Sequence, residues 1–450
     1  MSAQASVTTQ SLTMDWARTL SREQEVVVLC AGHRLEGERT ERAAHLLAGE
    51  LDWGEVIRWA GHHGVLVHVH RQVSTTPAAV APQPVRHLLR AHYERNAVRN
   101  LHLTGVLLEL LQVLEEEGIP ALPYKGPVMA LQLYGDPALR AIGDLDILVP
   151  PHQARPAREA VAVRGYVPEP HLSGPKAGSE YSYRLVHPAR GVAVEVHWSV
   201  TLGVFASPFG LQEVSRRLGQ VRLAGRPTPC MAPEDLVLAL CLHLAKHCWE
   251  ERLRLSWIAD IARTVALDDG LDWEGLVRRA AEGGCLRMLL LGLRLAHRVC
   301  GCPLPAPVSA RLEGEPAVDR LAARVWQWAF APPAGSAQFG LSTLVARTEI
   351  YFAMRERRQH RLRYCAYYLG YAVRWSLTPN AEDRARLPLP ACLDLVHYGL
   401  RPLRLAWKHA GRAGECLGHL RRLAGPLLGL GTRRRGGPRS LGVAGGCRAV

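Results

Sequence analysis

Residues 124–149 read YKGPVMALQLYGDPALRAIGDLDILV, and the polar groups in this stretch stand at spacings that a packed core does not require. Lys125 and Gly126 form a turn, Pro127 takes the favoured first position of a helix running to about Tyr134, and Gly135-Asp136-Pro137 ends that helix. A strand follows. Side chains alternate along an extended chain, so Asp144 and Asp146 project from one face while Leu145, Ile147 and Val149 supply an apolar one. Two carboxylates then stand about 7 Å apart at the backbone, close enough to converge on shared cations.

Upstream the pattern is helical. Glu41 to Leu51 and Trp53 to Val73 carry apolar residues at three- and four-residue intervals, and Thr75 to Pro84 is a Pro/Ala-rich connector. From Val85 to Glu117 the residues Leu101, Val106, Leu107, Leu110, Leu111 and Leu114 give a broad apolar face, and Ala121 to Tyr124 reads as a short strand. Downstream, Pro150-Pro151 ends the central strand, and Gln153 to Arg164 is a helix stopped by Gly165. Tyr166 to Glu180 is a Gly/Pro/Ser-rich loop, of the kind that folds over a ligand. Tyr181 to Val186 and Val192 to His197 flank the turn His187-Pro188-Ala189-Arg190-Gly191 as a hairpin. Glu195 lies in the otherwise apolar run of the second strand; a solvated strand face and a third metal-directed carboxylate both account for it.

A further helix opens at Pro233-Glu234-Asp235 and runs to about Trp249, and another starts at Asp272-Trp273-Glu274 and continues toward Val299. Cys300 to Pro307 is a Gly/Pro linker. The division expected is an N-terminal helical region (1–100), a core (101–230), a helical domain (231–305), a C-terminal helical region (306–425) and a basic tail (426–450) with the composition of a disordered segment.

A formal charge of +14 over 450 residues suggests a nucleic-acid partner until it is located. Residues 401–450 hold eleven Arg or Lys and one acid, which leaves 44 basic and 40 acidic residues on the other four hundred. The body is thus nearly neutral, and a long nucleic acid is not the expected partner. Eleven cysteines without any Cys-x-x-Cys argue for reduced thiols and a cytoplasmic setting. No signal peptide is evident in residues 1–19, and no stretch reads as a membrane span.

Three carboxylates sharing one sheet rim repel as anions, so a proton or divalent cations must sit among them. Mg²⁺ takes oxygen ligands and substrate phosphates together, and two such ions about 4 Å apart clamp the oxygens of an in-line displacement at phosphorus. A small-residue turn feeding a helix N-terminus, here Lys125-Gly126, suits the outer phosphates of a nucleotide. Arg140 reaches the same phosphates, pairs with Asp144 or pins the loop, and the sequence leaves these open.

Lys125-Gly126, Arg140, Asp144-x-Asp146 and Glu195-Val196-His197-Trp198 together resemble the nucleotidyltransferase family 5 group of bacterial proteins, a branch of the DNA polymerase beta-type superfamily. Pro233-Glu234-Asp235-Leu236, His243, Lys246-His247, Leu255-x-Trp257-x-x-Asp260 and Asp272-Trp273-Glu274 resemble that family's helical half, so the resemblance covers roughly residues 45–300. It implies an α+β fold with a small mixed sheet between helical regions. It further implies a metal-binding aspartate pair and transfer of a nucleoside monophosphate from a nucleoside triphosphate to an acceptor hydroxyl. The site then comprises Asp144, Asp146 and Glu195 as metal ligands and catalytic groups, two Mg²⁺ ions, and Lys125, Gly126 and Arg140 on the nucleotide. ATP is the default donor because it is abundant. The acceptor expected is a small molecule, a sugar or a protein, with a biosynthetic partner protein in keeping with the family. A catalytically silent nucleotide-binding or partner-docking module on the same scaffold is the alternative.

His243 and His247 share a helical face, but a zinc site needs further ligands and no Glu follows His243 in the metalloprotease pattern, so hydrogen-bonded histidines near Arg252 or Asp260 are the plainer reading. His197 and Trp198 more simply orient the strand end than perform chemistry.

Overall fold

Local signals in the chain set most element boundaries in the computed structural model, which describes residues 20–32, 37–76, 81–169, 181–203, 205, 209–267, 270–331, 341–390 and 393–409. The loop over 170–180 and the tail over 426–450 lie outside these residues. Two compact units are present, Met1–Gln338 with Ile350–Arg363, and Phe339–Glu349 with Tyr364–Val450.

The first unit opens with α1 (Arg22–Ala31), where Ser21 and Gln24 form a reciprocal cap, and α2 (Glu38–Ala48). The segment expected as one helix over Trp53 to Val73 is two, α3 (Trp53–His63) and α4 (Leu66–Thr75). Gly64 separates them at φ 68°, a left-handed conformation that ends a helix cheaply only in glycine. Pro84 sits at the favoured start of the next helix and Gly105 is accommodated within it, so α5 (Gln83–Glu116) runs unbroken through residues 100 and 101. Its Leu103, Val106, Leu107, Leu110 and Leu114 are buried, whereas Leu101, assigned to the same face from sequence, is 71% exposed on the other side. By length and composition α5 is the one helix among the described residues able to cross a membrane. Its buried leucines instead form one core with the sheet.

The sheet comprises β1 (Leu122–Pro123), β2 (Leu145–Leu148), β3 (Val167–Pro168), β4 (Ser182–His187) and β5 (Val192–His197), in the order β1-β2-β5-β4-β3. β2 and β5 are parallel, and the other pairings are antiparallel, which makes the sheet mixed and the fold α+β. Leu145 and Ile147 on β2, Val149 just past its end, and Val192, Val194 and Val196 on β5 face α5 and α7 (Ala154–Val163), packing with Ala157 and Val161. Each such side chain contributes about 1.5–3 kcal/mol by leaving water. Strand alternation therefore commits Asp146, Glu195 and His197 to the opposite face. Between β1 and β2, Gly126–Tyr134 forms α6. A second hairpin, β6 (Gly219–Leu223) with β7 (Arg226–Cys230), had no counterpart in the sequence reading.

The helices that follow are α8 (Pro233–Trp249), α9 (Leu255–Val265), α10 (Trp273–Glu282), α11 (Leu286–Cys300), α12 (Ala306–Glu313) and α13 (Pro316–Trp326). Gly283-Gly284, with Gly284 at φ 64°, divides α10 from α11 where one helix toward Val299 was expected. The remaining described helices are α14 (Leu341–Met354), α15 (Arg358–Leu377), α16 (Ala381–Arg386) and α17 (Val396–His409). The last two belong to the second unit.

Candidate active site

The register of three strands assembles the site. Asp146 stands opposite Glu195 in the parallel β2–β5 pair, and Arg184 stands opposite Glu195 in the β4–β5 hairpin. His197, two residues after Glu195, points the same way and closes the group. Its Nε2 lies 3.0 Å from Asp146 Oδ1 and 3.1 Å from Glu195 Oε2. One ligand atom from each of Asp146, Glu195 and His197 falls within 4.8 Å of the other two.

Cations of the chain hold the carboxylates. Lys125 Nζ sits 3.3 Å from Asp146 Oδ1. Arg184 donates from Nη1 to Asp144 Oδ2 at 2.8 Å and to Glu195 Oε1 at 2.6 Å, and from Nε to Glu169 at 2.8 Å. Asp144 thus joins Glu195 through Arg184 rather than through the tighter group. Arg184 went unnoticed in the sequence reading, although counting back from the His187–Gly191 turn places it across from Glu195.

Proton affinities follow these contacts. Burial would raise Asp146, but Lys125 and the His197 hydrogen bond outweigh it and hold it below the usual carboxylate range. Glu195 likewise has burial opposed by His197 and Arg184, and ends at about 2. Asp144 moves upward, because burial and the charges of Asp146 and Glu195 exceed the effect of Arg184. Burial disfavours the charged forms of His197 and Lys125, yet the carboxylates win and both are raised.

The loop before Asp144 is clamped from α5. Asn96 Nδ2 donates to the carbonyls of Ala138 and Arg140 at 2.7 and 3.1 Å, and Asn100 Nδ2 to those of Pro137 and Arg140 at 2.7 and 2.8 Å. Both asparagines are buried four residues apart, so they share one helical face, a signal that was present in the sequence. Arg140 Nε lies 3.0 Å from Asp260 Oδ2 on α9, and Tyr134 donates to Oδ1 of the same carboxylate at 2.8 Å. It pins the loop. Gly126 has φ 61°, in the left-handed region, so the turn into α6 calls for glycine.

Aromatic and helical groups close the rim. The Tyr124 and Tyr181 rings lie 5.4 and 5.5 Å from the His197 ring, and the Tyr124 hydroxyl is buried without a hydrogen-bond partner. Lys246 of α8 donates to the Tyr181 hydroxyl. His243, Lys246 and His247 share that face of α8. His247 stacks on Trp257 with centroids 4.3 Å apart, and its Nδ1 contacts Glu250 at 2.8 Å. Arg252 also reaches His247 Nδ1, at 3.2 Å, so the histidine pair is an aromatic and hydrogen-bonded feature beside the site.

Oxygen and imidazole atoms of Asp146, Glu195 and His197 converge on the sheet rim, and Lys125 stands beside them at the adjoining helix N-terminus. The sequence profile of the uncharacterised nucleotidyltransferases matches residues 49–301, just over half of the chain, and the chain belongs to that family. It is accordingly a transferase of the nucleotidyl class, a family that implies a nucleoside triphosphate substrate. No curated protein and no solved structure matches it.

Proposed function

We propose that this protein is a metal-dependent nucleotidyltransferase that moves a nucleoside monophosphate from a nucleoside triphosphate, ATP by default, to a hydroxyl of a small-molecule, sugar or protein acceptor. The observation that carries the reading is the convergence of Asp146, Glu195 and His197 ligand atoms within 4.8 Å on the face that also presents Lys125. The carboxylates of this rim suit Mg²⁺, which takes oxygen ligands: Asp146 and Glu195 would hold it, with Asp144, now paired to Arg184, turning to join them. When bound, the ions supply charge neutralisation at the triphosphate and polarise the reacting oxygens.

The chain's own residues do the rest. Lys125 and the N-terminal amides of α6 draw the outer phosphates toward the rim, since unpaired amides and the helix dipole favour anions there. Arg140, Asn96 and Asn100 act as positioning residues that fix the loop entering β2. The acceptor oxygen attacks the α-phosphorus, a new P–O bond forms, the bond to the β-phosphate bridge breaks and pyrophosphate leaves. The hydroxyl proton passes to one of these carboxylates. Lys246 adds a cation on the α8 side for the departing phosphates. The near-neutral body suits a compact acceptor, and the eight free thiols among the described residues suit a cytoplasmic setting.

The test is incubation of the full chain with α-labelled triphosphates, Mg²⁺ and host metabolite extract. Label transfer with pyrophosphate release, both lost in Asp144→Ala/Asp146→Ala, is expected; release that survives those substitutions would sink the mechanism. One observation favours the alternative of a silent module: Lys125, His197 and Arg184 already neutralise all three carboxylates. Tight nucleotide binding with no release at all would establish it.

A further inference from the structure

Helix α17 is turned the opposite way from an ordinary surface helix. Val396, Leu400, Leu403 and Trp407 recur at intervals of four, three and four residues and form one apolar stripe. All four are exposed, Leu403 at 68% and Trp407 at 86%. The buried side of the helix is the polar one. His397 and Arg401 are buried, and Arg401 and Arg404 both form ion pairs with Asp383 on α16. Asp383 is itself fixed by a reciprocal cap with Asn380. Rolling the stripe inward would leave that buried carboxylate unpaired, so the orientation is locked. Leu393 and Leu395, 47% and 80% exposed, extend the same apolar surface just ahead of the helix.

A contiguous outward apolar stripe calls for a partner, and charge selects which. Leaving aside Arg401 and Arg404, which Asp383 engages, residues 405–450 carry nine Arg or Lys against Glu415 alone. We propose that α17 docks the protein on an anionic lipid surface, lying in the headgroup layer with Leu403 and Trp407 inserted at the acyl boundary. Stripe and charge each have a role in that setting: apolar side chains enter the interface while neighbouring Lys and Arg meet lipid phosphates. A helix of 14 residues is about 21 Å long, too short to cross a hydrocarbon core of about 30 Å, so the contact is peripheral. A nucleic-acid backbone would use the charge but not the stripe, and a second copy would use the stripe but bring the same positive charge against it.

The full chain would be floated with vesicles of phosphatidylcholine, with and without phosphatidylglycerol. Binding to the phosphatidylglycerol vesicles is expected, at least about tenfold stronger than to phosphatidylcholine alone and reduced at least about tenfold by L403E/W407E, with circular dichroism and elution volume unchanged. Should that pair disturb folding, Leu403→Ser and Trp407→Ser each alter one exposed side chain and should each weaken flotation. No preference for the anionic vesicles, or flotation indifferent to all of these substitutions, would overturn the proposal. A wild-type dimer that the substitutions convert to monomer would overturn it in favour of a second copy, and loss of RNA binding in place of lipid binding would do so in favour of RNA.

Discussion

The sheet rim and the adjoining face of α8 both gather ionisable side chains, yet they bias them toward opposite charge states. On the rim, removal from water favours the neutral forms of the mostly covered Lys125 and the buried His197, but Asp146 and Glu195 pull both toward the cation, with Asp144 adding to Lys125. On α8, burial pushes His243 well down, and Lys125, His247 and Lys246 push it further. His247 and Lys246 are lowered as well, again with burial first. The same residue types thus serve two purposes a few side chains apart. Carboxylates nearby make a store of paired charge suited to metal and phosphates. Cations and aromatic rings nearby hold His243 and His247 toward their neutral forms and leave Lys246 as the proposed cation of that face.

Substitutions should separate the two regions. The largest effect belongs to the rim: Asp146→Asn should lower triphosphate-dependent pyrophosphate release by about a thousandfold or more, since it removes one ligand of a unit that acts together. Arg140→Met should act on stability, costing about 3–5 kcal/mol in urea denaturation by leaving Asp260 buried and unpaired, and R140M/D260L should recover much of it. A loss of activity without loss of stability would return Arg140 to the phosphates. Lys246→Met should lower kcat/KM for the triphosphate by about tenfold to a hundredfold, the worth of one charged hydrogen bond, with Tm little changed. An unchanged kcat/KM would confine phosphate binding to the rim.

The smallest effect is the most diagnostic, because its sign differs between the regions. His197 is raised above its ordinary 6.5, so the stability it contributes is complete below that value and is lost as pH rises through the folded value. His243 is lowered, so its neutral form stabilises the fold above 6.5 and that contribution fades as pH falls. Denaturation should show His197→Gln costing more at about pH 6 than at about pH 9, and His243→Gln the reverse. Parallel pH profiles would erase the contrast.

Local chemistry made much of this legible in the sequence. Alternation put Asp144 and Asp146 on one face, and a carboxylate in an apolar run marked Glu195. Two-residue periodicity also implied the sheet's buried face, since Leu145, Ile147 and Val149 have no other place to go. What escaped notice depends on long-range pairing. Asp260 meets Arg140 across 120 residues, with no local pattern to join them. Lys246 reaches Tyr181 from a separate helix. Arg184, Asn96 and Asn100 are different, because hairpin register and helical spacing would have found them. His197 was read as packing, and only the β2–β5 register brings it against Asp146.

The most direct measurement is calorimetric titration of ATP into wild-type protein and Asp144→Asn/Asp146→Asn, each with Mg²⁺ and with chelator. Wild-type binding should depend on Mg²⁺, and the variant should bind only as weakly as wild type does without metal. Equal binding by both proteins in Mg²⁺ would contradict a metal and nucleotide site built on residues 144–146.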